Sequence, residues 1–203
     1  MNAELQINRL HSRSTRLSHM VLAATIVTQL ISSLIMVPPL DGNAADIAFT
    51  IHQYSGVLAF LFALLFWGII MARKKGTSLT SLIPWFSAER LRLLKGDILE
   101  HFAALKSFKL PDYKDDKPLA SAVHGLGLLL MTGMAATGVA FAIAMQLGRG
   151  EETNWVANDL LLHVTFANLV WAYLIGHAGL AILHHFTSKA SLSEMWSFRA
   201  SGH

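Results

Sequence analysis

Residues Leu160 to Phe186 read LLLHVTFANLVWAYLIGHAGLAILHHF, a run without a single Lys, Arg, Asp or Glu. A helix rises 1.5 Å per residue, so this stretch is long enough to cross a hydrocarbon core about 30 Å thick. Its histidines are spaced rather than scattered. His163 and His177 are separated by about 21 Å of rise and a rotation about 40° short of four full turns, which puts both imidazoles on one side of the helix near its opposite ends. Ionisable side chains inside a span are expensive, and they usually face a protein interior or a cavity.

The rest of the chain repeats the membrane signature. Of the 203 residues, 53% are apolar and 14% charged, too little polar surface for a soluble domain of this size. Four spans are predicted, at about 17–37, 49–72, 119–147 and 156–186, which defines one all-α, integral membrane four-helix bundle occupying residues 1–203. The absence of cysteine excludes disulfides, thiolate-held iron–sulfur clusters, haem attached through Cys-x-x-Cys-His and thiol redox chemistry.

Basic residues orient the bundle, because they favour the cytoplasmic side of short loops. Arg9, Arg13 and Arg16 precede the first span, ten Lys/Arg lie from Arg73 to Lys117, and Lys189 and Arg199 follow the last span. The two outer loops, Pro38–Ala48 and Gly148–Asp159, hold Arg149 as their one basic residue beside Asp41, Asp46, Glu151, Glu152 and Asp159. Both termini are therefore expected in the cytoplasm, with a long cytoplasmic loop between helices 2 and 3. The net charge of +3 reflects this asymmetry and is no nucleic-acid footprint. A cleaved signal peptide is not expected at the first span, since no clear small-x-small site follows promptly and cleavage would remove His19.

Within the long loop, Ser87 is placed to cap a helix over Ala88–Lys106. Leu91, Leu94, Ile98, Phe102 and Leu105 recur there at helical spacing, with Arg90, Arg92, Lys95 and Glu100 on other faces. Such a helix suits the inner membrane surface, either as a solvated cover for the bundle or as a docking surface for a cytoplasmic partner. The Pro111–Pro118 stretch reads as the loop leading into the third span.

Topology sorts the histidines by depth. The first span runs outward and the fourth inward, so His19 and His177 lie toward the cytoplasm, while His52 opens the second span level with His163 outside. Each level offers two neutral imidazoles from different helices, suited to the two axial positions of a haem b iron. Gly56, Gly176 and Gly179 leave room for a porphyrin or serve close helix packing. For any one histidine the alternative is a helix-end or pore-lining role, and for the set it is non-redox transport of protons or metal.

The chain resembles the bacterial cytochrome b561 family, the di-haem four-helix membrane cytochromes related to the b-type subunits of hydrogenases. The resemblance covers roughly residues 9–190. It rests on RLSH ending at His19, IHQYSG containing His52, VHGLGLLL containing His124 with Gly138 following, and the fourth-span string through His184 and His185. Met20 departs from it, standing where an aromatic often follows the first histidine. The resemblance implies that His52 and His163 ligate an outer haem iron and His19 and His177 an inner one, two haems b per chain in a bacterial cell inner membrane. His124 and His184 are candidates for quinone contact or proton relay at the inner interface, or for haem-propionate bonds. Arg13, Arg16 and Arg73 inside and Arg149 outside are further propionate candidates. The expected function is electron transfer across the bilayer in exchange with quinone or quinol, including superoxide oxidation at the outer face. The alternative is a membrane anchor that conducts electrons for a hydrogenase or dehydrogenase.

Overall fold

The computed structural model describes residues 12–39, 44–73, 76–107, 117–150, 153–187 and Trp196. Arg9, Asp41, Lys114, Glu151, Glu152, Lys189 and Arg199, with most of the predicted Pro111–Pro118 entry loop, lie outside them. Among the described residues the chain is helical: α1 (Arg13–Ser33), α2 (Ile47–Ala72), α3 (Leu79–Leu82), a 3-10 turn (Pro84–Phe86), α4 (Ala88–Lys106), α5 (Pro118–Gln146) and α6 (Asn154–Thr187).

Among the described residues, three helices, α2, α5 and α6, are long and apolar enough to cross a membrane. Helix α1 coincides with the first predicted span but differs in character. Its buried face is largely polar, with Thr15, Arg16, Ser18, Thr25, Gln29 and Ser32 beside Leu22, Ile26 and Leu30, while Leu17, Val27 and Ile31 point outward. The hydroxyls are satisfied within the helix: Thr25 donates to the Leu22 carbonyl at 2.9 Å and Ser32 to the Thr28 carbonyl at 2.7 Å. This arrangement inverts the pattern of a water-soluble helix, and it suits an element with lipid outside and neighbours inside. The helix stops at Ser33, four residues short of the predicted end, because Pro38 and Pro39 disfavour helical backbone just ahead of them.

The main helices pack in the order α1, α2, α5, α6, with α3 and α4 laid against α5. One core joins Leu22, Ile26 and Leu30 of α1, Ala59 and Ala63 of α2, Leu82 of α3, Leu128, Met131 and Met134 of α5, and Val170 of α6. A smaller cluster of Phe141, Ala144 and Val156 joins the α5–α6 turn. That turn is a Schellman motif: Gly148, at φ +67°, lets its own N–H reach the Met145 carbonyl and the Arg149 N–H reach Ala144 at 3.0 Å.

Caps set the register of the elements that carry histidines. Asp46 accepts from the Phe49 N–H at 2.7 Å and from the Val37 N–H at 3.0 Å, starting α2 and tying it to the end of α1. Helix α5 begins with Pro118 at its first position, and its next free N–H, on Leu119, is taken at 2.9 Å by Asp97 of α4. Helix α4 has the predicted bounds, with Ser87 accepting from the Arg90 N–H at 3.4 Å. The short α3 and the 3-10 turn after it went unpredicted, being too brief to show a period. Leu82 of α3 presses on α5 so closely that a Cβ at Gly125 would lie 1.9 Å from the Leu82 carbonyl oxygen.

Candidate functional site

His52 sits in the second turn of α2 and is buried. Its Nδ1 lies 3.0 Å from the Ser32 Oγ and 3.2 Å from the Gln29 carbonyl, both on α1. A carbonyl only accepts, and the Ser32 hydroxyl gives its own proton to the Thr28 carbonyl. Every neighbour of that nitrogen is thus an acceptor, so Nδ1 carries the ring proton and Nε2 keeps its lone pair. Gln29 secures the pair of helices from the other side, donating from Nε2 to the His52 carbonyl and to the Ser55 Oγ.

His163 on α6 is held in the same way by α5. Its Nδ1 is 3.0 Å from the Thr137 Oγ1 and 3.1 Å from the Met134 carbonyl, while Thr137 donates to that same carbonyl at 2.8 Å. The proton again belongs on Nδ1. A Cβ at Gly138 would stand 3.0 Å from the His163 Cε1, so the glycine clears the space the ring occupies. The two imidazoles, from α2 and α6, meet with ring centroids 6.3 Å apart and planes at 82°.

Toward the other end of α6, His177 is flanked by rings. Tyr173 stacks on it at 5.4 Å with planes 9° apart, and His124 of α5 approaches edge-on, also at 5.4 Å. Tyr173 occupies the space above Gly127, where a Cβ would fall 2.1 Å from the phenol oxygen. His19 on α1 meets the Trp196 indole at 6.0 Å, and Arg16, three positions before it, is buried at 3% exposure. The structure therefore brings His52 and His163 together, and it sets His124 against His177. Gly56 packs against Gln29, which would lie 3.3 Å from a Cβ there, whereas Gly176 and Gly179 face open space.

His184 is buried at the cytoplasm-facing end predicted for α6 and lies within Coulombic range of His101 on α4. His101 in turn rests on Asp97, its Nδ1 2.8 Å from the Asp97 carbonyl and 3.2 Å from the carboxylate. Arg73, at the end of α2, donates to the Thr77 carbonyl; its Nε is buried without a hydrogen-bond partner, and burial pushes the guanidinium below its usual range. Arg149 is exposed beside the α5–α6 turn. Sequence reasoning missed Ser32, Gln29, Thr137, Tyr173, Asp97 and His101. Asp97 had left a trace, as an acid on the otherwise apolar stripe of α4, and Gln29 as one of several polar residues on the buried face of α1. Ser32 and Thr137 had left none, because only packing tells a ring-holding hydroxyl from one satisfied by its own helix.

The fold and the buried imidazoles define a multi-pass, membrane-embedded helical protein built to hold something between its helices. The sequence model of the family described as Prokaryotic cytochrome b561 matches residues 10–198, and the chain belongs to that family. Membership makes it a transmembrane b-haem electron-transfer protein. No curated protein and no solved structure matches the chain.

Proposed function

We propose that this protein carries electrons across a bacterial inner membrane through two haems b, exchanging them with the quinone pool, with His52 and His163 ligating the outer iron and His19 and His177 the inner one. The observation that carries this reading is the His52–His163 pair. Two imidazoles bound on opposite sides of one metal ion, each at about 2.0 Å, hold their ring centroids roughly 6 Å apart, and the pair stands at 6.3 Å. Both rings have their proton fixed on Nδ1, which leaves the Nε2 lone pairs as donors. Neutral imidazole is a donor that haem b iron accepts, so His52 and His163 would fit the group.

Bound there, haem would supply one-electron exchange. The chain does the rest. Helices α2 and α6 supply the two rings, while α1 and α5 hold those rings in one tautomer and one orientation. Between the two histidine levels, Trp67 is fixed by a 3.0 Å bond to Thr132, and Phe166 and Trp171 pack on the core, which keeps water out of the interval. At the inner end, His124 and His184 are proposed to hold a quinone head group or to pass its protons, with His101 and Asp97 continuing toward the cytoplasm. Helix α1 is proposed as the fourth span, with both termini cytoplasmic.

The test is haem content and its assignment to sites. Purified full-length protein is expected to contain two non-covalent haems b per chain, and one or none in fully loaded protein would overturn the proposal. His52→Ala and His163→Ala are expected to abolish the same spectral component, and His19→Ala and His177→Ala the other.

A further inference from the structure

The two outer imidazoles are held by the same device, built twice on different helices. On α1 it is the Gln29 carbonyl with the Ser32 hydroxyl three residues later; on α5 it is the Met134 carbonyl with the Thr137 hydroxyl three residues later. In each case the hydroxyl proton is already donated to a carbonyl of its own helix, at 2.7 Å for Ser32 and 2.8 Å for Thr137. Oγ therefore faces the ring as an acceptor. Neither hydroxyl belongs to the helix whose histidine it serves.

We infer that Ser32 and Thr137 are positioning residues that lower the reduction potential of the outer haem by drawing on the Nδ1 protons of its two ligands. The inference rests on the reading that His52 and His163 share one iron. An Nδ1–H that gives its proton partly to an acceptor leaves Nε2 a stronger electron donor, and a stronger donor favours the oxidised iron. Because two ligands carry the same device, the effects act in one direction. At His177 the described neighbours are a stacked phenol and a second imidazole rather than a hydroxyl and carbonyl of one helix. One consequence concerns α1: through Ser32 it bears on the outer haem although its own histidine is assigned to the inner one.

The experiment is an optical redox titration of the purified, haem-loaded full chain, with low-temperature EPR of the oxidised form. Ser32→Ala and Thr137→Val each remove one acceptor and leave the carbonyl to keep the tautomer. Each is expected to shift the outer component toward reduction by up to tenfold in the oxidised-to-reduced ratio, about 59 mV upward for a one-electron couple. The inner component should stay in place. The g-spread of the outer low-spin signal should change with the potential; a displaced ring also changes it, so the variant that restores the hydroxyl separates hydrogen bonding from packing. Thr137→Ser, which restores the hydroxyl, is expected at the wild-type value. Thr132→Val, which removes a hydroxyl of the same helix bonded to Trp67 instead, should leave both potentials unmoved. If Thr137→Val loses the outer haem, Ser32→Ala decides alone. Two haems present with unchanged outer potential and EPR in Ser32→Ala would overturn this inference and leave the ligand assignment standing. Absence of haem from the wild-type protein would overturn the ligand reading itself.

Discussion

At the scale of single residues, the two ends of α6 treat their histidines differently. His163 is gripped through Nδ1 by a hydroxyl and a carbonyl, whereas His177 is packed face-on by Tyr173. The packing depends on a missing side chain, since a Cβ at Gly127 would collide with the phenol at 2.1 Å. Gly127→Ala is therefore expected to displace Tyr173 from His177, at an overpacking cost of about 1–3 kcal/mol. A fall in melting temperature in detergent, with a spectral change confined to the inner haem, checks it; an equal change in both haems would contradict the placement of Tyr173. His124 and His184 belong to the same scale. His124→Phe and His184→Phe should leave both haems bound, since four other histidines are assigned as ligands, but should slow haem reduction by a quinol analogue if these imidazoles move its protons. Wild-type quinol kinetics in both variants across a range of pH would remove them from the proposed quinone site.

At the scale of elements, the end of the bundle proposed to face the cytoplasm is locked by contacts that the periodicity of any one helix does not show. Leu82 of α3 rests on the bare backbone of α5 at Gly125, while Gly68 on α2 has nothing within 4 Å of where its Cβ would be. The two glycines make a matched test. Gly125→Ala must push α3 off α5 and should destabilise by about 1–3 kcal/mol, whereas Gly68→Ala, free of any clash, should stabilise by up to about 1 kcal/mol through helix propensity. Thermal unfolding followed by circular dichroism separates them, and equal effects would refute the contact. Helix α4 is joined to α5 through Asp97, which takes the Leu119 N–H at 2.9 Å and faces Lys117 at 3.9 Å and His101 at 3.2 Å. Asp97→Ala removes a cap worth about 1 kcal/mol. Faster hydrogen exchange over α4 and the first turn of α5, with both haems retained, is the expected result.

At the scale of the whole molecule, the bundle presents apolar side chains outward on α2, α5 and α6 and places most of its buried polar groups on α1, with His52, Asp97, Ser121 and His184 on the other helices. The absence of cysteine makes the proposed topology directly testable. In intact cells, Asn154→Cys, at the start of α6, should react with a membrane-impermeant thiol reagent added outside. Ser107→Cys, just after α4, should react only once the membrane is opened. The reverse pattern would invert the bundle and move the His52–His163 pair to the cytoplasmic side.

Much of this was legible in the chain itself, for physical reasons. Length and apolarity alone select α2, α5 and α6 as helices able to cross a bilayer, and the Ser87 cap with its apolar stripe predicts α4 with its observed bounds, because local hydrogen bonding and hydrophobic period govern both. The separation of His163 from His177 along α6 follows from a rise of 1.5 Å per residue. What neighbours each ring does not follow. That His52 faces Ser32 and Gln29, that His163 faces Thr137 and Met134, and that Tyr173 and His124 flank His177 depend on how helices rotate against one another. That rotation is set by close approach at small residues such as Gly125, Gly127 and Gly138. Sequence period determines which face of a helix is polar; only the packed bundle decides which neighbour's backbone that face meets, and so which ring nitrogen carries the proton.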